Sequence, residues 1–238
     1  MGKDTKLDYA ERERRWQKAR EPWMKQIVTG LVLGNLSSSY TRELLKENHI
    51  DAIVSLDVCR TGLWIRTSNA GVTEERHKFV QCADSSTQDL LVHLDDICDF
   101  IDQVASPALT VLAALPNESN AEDDAPQHCE PPPSQAVLVH CELGISRSPT
   151  IIIAYLMRKL RLPRAEVLGF VRAQRKVKPS ANFTRQLEGW EEVGYQLWED
   201  EARAVPKALY TAFLDDRAAR LAEMGLTGDE PLAPLTLD

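Results

Sequence analysis

The sequence predicts an α/β domain, with a central, mostly parallel or mixed sheet flanked by helices and further helices on its C-terminal side. Three observations lead there. Short apolar runs of strand length, Ile50 to Leu56 and Ala136 to Val139, alternate with segments of helical periodicity, as in a sheet whose strands are joined by helices. After Ser148 the chain carries one helical pattern after another with no further strand signal. At 238 residues with 43% hydrophobic and 27% charged side chains, the chain can bury one generous core, which excludes a collagen-like repeat, a disulfide scaffold or wholesale disorder.

Residues 1–25 form a charged arm, helix-prone from Tyr9 to Arg20 and ended by Glu21-Pro22. Residues 26–198 form the main domain. Ile27 to Leu36, punctuated by Gly30 and Gly34, predicts a hairpin opening the sheet. A short helix over Thr41 to Asn48 leads to the strand Ile50 to Leu56, and a long irregular loop then leads to a strand over His77 to Cys82. Leu90, Leu91, Leu94, Ile97, Cys98, Ile101 and Val104 recur at helical spacing, predicting an amphipathic helix from Asp89 to Val104. The segment 117–134 is acidic and proline-rich, composed as a disordered insertion. Pro163 fits the first position of a further helix, Asn182 fits the cap of one running through Trp198, and Val205 to Met224 supplies another within a helical extension, 199–238.

Several classes fall away on composition. No apolar run approaches the roughly 18 residues of a membrane span. The start of the chain has no apolar stretch of the secretory kind, which predicts a cytoplasmic or nuclear protein. The five cysteines, Cys59, Cys82, Cys98, Cys129 and Cys141, show no CxxC pair and no metal-ligand spacing, so neither structural zinc nor a full disulfide set is expected. The net charge of −8 is unevenly spread: from Arg158 to Arg185 nine basic side chains stand against Glu166 alone. Such a run is ordinarily a solvated helix face, and beside an anion site it also attracts acidic partners.

The chemistry concentrates in Val137 to Tyr155, VLVHCELGISRSPTIIIAY. A strand ends at His140, Cys141 follows, a five-residue turn intervenes, and Arg147-Ser148-Pro149 opens a helix. Each part suits a phosphate dianion. Gly144 adopts positive φ at no steric cost, letting Glu142, Leu143, Gly144, Ile145, Ser146 and Arg147 curl their backbone N–H groups inward as an anion nest. The helix N-terminus adds positive potential, and the planar fork of Arg147 can hold two phosphoryl oxygens. A cysteine in such a place is favoured as thiolate, the form that attacks phosphorus. The competing reading of Cys141 is a buried structural thiol.

This stretch resembles the signature loop of the cysteine-dependent protein phosphatases, and in particular of the dual-specificity phosphatases, HCxxGxSRS followed by a helix containing AYLM. The likeness covers Val28 to Glu192 and includes LVLGNL, IDAIVSL, CADSSTQDLL with DFID, and KPSANFTRQLEGWE. It implies a metal-free and cofactor-free hydrolysis through a phosphocysteine. By that likeness Cys141 is the nucleophile, Arg147 the phosphate-binding arginine, Ser148 the hydroxyl that helps the thiolate leave, and His140 the support of the cysteine. Asp84, fifteen positions before Asp99 of DFID, is the general acid, and Asp89 belongs to the first turn of the next helix. The chain departs from the family where Ser180 stands in Pro179-Ser180-Ala181-Asn182-Phe183 at the place many members give to asparagine, and where Glu142 follows the nucleophile.

The expected activity is therefore hydrolysis of phosphotyrosine and phosphoserine or phosphothreonine in protein substrates, with partners docking through the arm or the C-terminal helices. Two alternatives stand beside it: the same chemistry on a phosphoinositide, a polysaccharide or an RNA 5′-phosphate, and a non-catalytic phospho-binding scaffold. With aromatic content of 6%, stacking on bases finds little support, and nucleic acid is not an expected partner. Cys59 and Cys82, each near the end of a predicted strand, are candidates for a reversible disulfide with Cys141.

Overall fold

The computed structural model describes residues 9–59, 71–116 and 135–228. The acidic insertion 117–134, with Cys129, lies outside the described residues. Helix α1 spans Tyr9–Arg20, followed by strands β1, Met24–Val28, and β2, Leu31–Asn35. Next come α2, Arg42–Glu47, β3, Ile50–Asp57, and β4, His77–Gln81. Helices α3, Leu94–Val104, and α4, Pro107–Thr110, precede β5, Ala136–Cys141. Four helices complete the described chain: α5, Arg147–Leu160, α6, Arg164–Gln174, α7, Ala181–Glu192, and α8, Ala208–Glu223. The sheet order is β1-β2-β5-β3-β4, with β1 antiparallel to β2 and the other three pairings parallel. The mixed sheet matches the expectation, except that β1 begins at Met24, inside the segment read as arm.

Period-two alternation divides the sheet into two faces. Leu31 and Leu33 of β2, Ala52, Val54 and Leu56 of β3, and Val137, Val139 and Cys141 of β5 join the main core with α3, α5, α6 and α7. Val32, Ile53 and Leu138 point the other way, into a smaller cluster with Leu45 of α2. Helix α5 is buried from Arg147 to Met157, so its first three turns are enclosed. Trp190 of α7, fully buried, donates its indole N–H to Ala154 O at 3.3 Å and locks the outer helix onto α5.

Some boundaries differ from the expected ones for identifiable reasons. The helix expected from Asp89 begins as a 3-10 turn, Leu91–His93, before α3. The N–H groups of Leu90 and Leu91 are drawn away to Gln186 Oε1, at 2.7 and 3.0 Å. Ser180, not Asn182, caps α7, accepting from Phe183 N at 3.3 Å, and α7 stops at Glu192, short of Trp198. Pro163 sits one position earlier than expected, as the residue before α6. Helix α4 was not foreseen.

Two buried polar arrangements tie the sheet together. Asn35, at the end of β2, accepts from Trp23 N and Ser38 N at 3.3 and 3.1 Å and donates to Ala19 O and Glu21 O at 3.2 and 2.8 Å, which fastens α1 to the sheet beside Cys141. On the face opposite Cys141, Ser55 Oγ lies 2.8 Å from His77 Nε2 and 2.6 Å from His140 Nε2. A hydroxyl has one proton to give, so one ring donates and the other accepts. Burial, reinforced by the neighbouring His77, lowers the His140 pKa from 6.5 to about 3.

Asn35→Ala strands two N–H donors and two carbonyls, so urea unfolding should show a loss of about 2–4 kcal/mol. His140 folds neutral, whereas in the unfolded chain it takes up a proton below pH 6.5. Its contribution is therefore complete above that pH and is lost as pH falls toward about 3. The stability gap between the parent and His140→Gln should shrink by up to about 1.4 kcal/mol per pH unit below 6.5, read from urea titrations across that window.

Candidate active site

Cys141 ends the central strand β5, and because it shares a face with Val137 and Val139 its thiol points toward α5. The chain then turns in five residues into α5. Gly144 carries φ of 68°, and a Cβ there would stand 2.5 Å from Trp23 Cζ2 and 2.6 Å from Gly34 O. Only glycine fits that turn. The loop's outer oxygens are tied to the scaffold: Leu36 N donates to Glu142 O at 3.1 Å, and Lys178 N to Ile145 O at 2.8 Å. Ser146 O, at the helix start, accepts from Thr150 N at 3.2 Å and Thr150 Oγ1 at 2.8 Å.

Among the described residues, none accepts from the backbone N–H groups of Leu143 through Ser148. Six donors in consecutive residues at a helix N-terminus are thus left without partners among the described residues, as an anion-binding turn requires. Arg147 adds to it. Its Nη1 donates to Cys82 O at 3.0 Å and Leu56 O at 3.3 Å, which fixes the guanidinium below the strand ends, while its buried Nε has no partner. Ser148 Oγ donates to Cys141 Sγ at 3.2 Å. Asp84, exposed in the loop after β4, accepts from Ser146 Oγ at 3.1 Å. The structure therefore brings Cys141, Arg147, Ser148 and the 142–147 loop into one locus, with Asp84 at its rim. His140 backs the strand end from the opposite face.

Glu142 occupies the mouth as well. Its Oε1 pairs with Arg20 of α1 at 3.0 Å and its Oε2 lies 3.8 Å from Arg147 Nη2, so the arm and Arg147 share one carboxylate. Beside it Arg175 lies over the Trp23 ring, 3.7 Å from its centre. Asp57 stands near Arg147, and burial raises its pKa even though Val58 N and the Arg147 charge oppose the rise. Cys82 is buried and donates to Ala83 O at 3.5 Å, and burial pushes its thiol up to about 12. Cys59 is exposed.

The sequence reading missed the residues that hold these groups in place. Asn182 Nδ2 reaches back to Ser85 O and Gln88 O, at 3.0 and 2.9 Å, and so fastens the Asp84 loop to α7. Ser55 and His77 were not singled out either. The signal available for Ser55 was one hydroxyl in a strand, IDAIVSL, that is apolar apart from it and Asp51.

Comparison with known proteins places this geometry. The catalytic-domain model described as "Dual specificity phosphatase, catalytic domain" matches residues 133–193. The chain is 31% identical over 173 residues to dual specificity protein phosphatase MPK-4 of Drosophila melanogaster, covering 72% of this chain and 37% of that one. It is 32% identical over 167 residues to human dual specificity protein phosphatase 5, covering 70% and 35%. The chain thus spans about a third of the length of these curated relatives. Among solved structures, the Yvh1 phosphatase domain from Chaetomium thermophilum superposes with a TM-score of 0.53 at 26% identity, over 72% of this chain and 97% of that domain. The matched stretch holds the Cys141 loop together with the strand before it and the helices after it, so the part of the chain that builds this site is similar to the catalytic domain of the dual-specificity phosphatases.

Proposed function

We propose that this protein is a phosphoprotein phosphatase that hydrolyses phosphotyrosine and phosphoserine or phosphothreonine monoesters through a phosphocysteine. The observation that carries the reading is the loop itself: between Cys141 and the start of α5 lie six backbone N–H groups with no acceptor among the described residues, together with the Arg147 guanidinium, whose buried Nε has none either. Such a loop stabilises the equatorial oxygens of a phosphoryl group as charge builds on them.

In the first step the Cys141 thiolate attacks phosphorus, the S–P bond forms, and the P–O bond to the substrate breaks. Asp84, as the acid, gives its proton to the departing oxygen. In the second step Asp84, now a carboxylate, takes a proton from a water whose oxygen attacks phosphorus. The S–P bond breaks, inorganic phosphate leaves, and the hydrogen bond from Ser148 steadies the returning thiolate. The small face of the sheet contributes a neutral His140, which supports the strand end without placing a positive charge behind the sulfur.

Metal-free phosphate release, measured in parallel on a phosphotyrosine peptide, a phosphothreonine peptide, a soluble phosphoinositide and a 5′-triphosphorylated RNA, tests the reading. Both peptides should turn over, and Cys141→Ser should abolish turnover. Release from a non-protein substrate alone would overturn the substrate class, and silence on all four would leave a phospho-binding scaffold. Asp84→Asn should slow the phosphothreonine peptide by about 10²–10⁴ and an aryl phosphate with an acidic phenol far less, because only the alkoxide needs the proton.

A further inference from the structure

The loop that carries Asp84 is held from two directions, one of them outside the segment matched to the catalytic-domain family. Within the loop, Ala83 N donates to Gln88 Oε1 at 2.9 Å and Gln88 N to Ser85 Oγ at 3.1 Å. From α7, Asn182 holds Ser85 O and Gln88 O, and Gln186 Nε2 donates to Gln88 O at 2.7 Å. From α8, which follows residue 193, Arg217 Nε donates to Thr87 O at 2.6 Å and Tyr210 Oη to Asp89 Oδ2 at 2.8 Å. The other oxygen of Asp89 accepts from Val92 N at 3.2 Å, so this carboxylate joins α8 to the turn that opens α3.

Helix α8 is itself seated firmly enough to act as a support. Tyr210 is 3% exposed, meets Trp198 edge-on at 5.6 Å and stacks with Phe213 at 6.3 Å. Lys207, just before the helix, donates through its backbone to Leu197 O at 2.8 Å and through Nζ to Val193 O at 2.9 Å. After α8 the chain doubles back so closely that a Cβ at Gly228 would stand 2.9 Å from Leu221 Cδ1 and 3.0 Å from Arg217 Nη2. Burial, with Asp89 beside it, raises the Tyr210 pKa and keeps the phenol a donor.

Asp84 itself is exposed, with Ser146 Oγ as its side-chain hydrogen-bond partner among the described residues. Its place is therefore set by the backbone of residues 85–89. A general acid must stand within hydrogen-bond reach of the leaving oxygen, and a misplacement of about 1 Å costs about a hundredfold in rate. We propose that α8 positions the aspartate loop for catalysis, with Tyr210 and Arg217 as positioning residues acting through Asp89 and Thr87 on Asp84. This rests on the reading of Asp84 as general acid.

The test uses the full chain with Tyr210→Phe, which keeps the ring and its stacking, and Arg217→Ala, each checked by thermal unfolding. Steady-state rates are read on a phosphothreonine peptide and on an aryl phosphate with an acidic phenol. On the peptide, kcat should fall about tenfold with KM within about twofold, while kcat on the aryl phosphate stays within about twofold. Arg217→Lys, which still offers a donor to Thr87 O, should recover part of the loss. In the Asp84→Asn background neither variant should slow the peptide further. Equal losses on both substrates, or no loss on either, would overturn the positioning role while Asp84→Asn still separates the substrates. If Asp84→Asn itself slows both equally, the acid assignment falls and this proposal with it.

Discussion

Among the described residues, the turn from β5 into α5 leaves six backbone N–H groups and the Arg147 Nε without partners, in the loop that follows a sulfur at the end of the central strand. A buried polar group left unpaired, as Arg147 Nε is, costs about 1–3 kcal/mol, so such an arrangement persists only where the surrounding fold holds it in place. The surroundings impose that restriction from every side. Outer carbonyls are fixed by Leu36 and Lys178, the glycine at the bend is wedged against Trp23 and Gly34, and the helix it enters is buried for three turns. Hydrogen-bond donors are thus held ready where a ligand's charge can meet them.

The same constraint explains why both extensions touch the site. Arg147 is buried, and its protein carboxylate at the mouth is that of Glu142, at 3.8 Å, which is itself held by Arg20 from α1. Without Arg20, Glu142 would be free to close on Arg147 and compete with an incoming anion. The arm can do this because Asn35 fixes its end to the sheet, on the strand that pairs in register with Cys141. At the other rim, α7 and α8 hold the loop that carries Asp84. What the sequence divides into arm, domain and extension is, around this cleft, one mechanical unit.

How far the sequence discloses this arrangement depends on separation along the chain. Cys141, Gly144, Arg147 and Ser148 sit within eight consecutive positions, so their spacing alone displays the chemistry. The sheet was legible for the same reason, because period-two and helical patterns are local. Supporting contacts are not local. Ser55 meets His140 across 85 positions, Asn182 meets Gln88 across 94, and Arg217 meets Thr87 across 130. Asn182 shows the resulting error in miniature: asparagine near a helix start reads as a cap, but Ser180 reaches Phe183 N first and releases Asn182 for the distant loop. Asp89 is similar: its bond from Val92 N is local, but nothing nearby announces that Tyr210 will donate to its other carboxylate oxygen.

Charge gives the clearest case of a pattern that changes meaning on folding. The basic run Arg158 to Arg185 stands almost unopposed in sequence, yet Arg158 meets Asp95, Asp99 and Asp102, Lys159 meets Asp102, Arg164 meets Glu188, and Arg185 meets Asp216. Exposed pairs of this kind contribute at most about 1 kcal/mol each to stability. Their larger effect is on the field, because four of the nine cations become local dipoles on the flank of the fold. At the cleft, the groups suited to an anion are other than these four paired cations: the N–H groups at the start of α5, the guanidinium of Arg147, and Arg20 with its partner Glu142. Within the run, Arg158 and Lys159 fasten α5 to the acidic helix α3, Arg164 joins α6 to α7, and Arg185 joins α7 to α8.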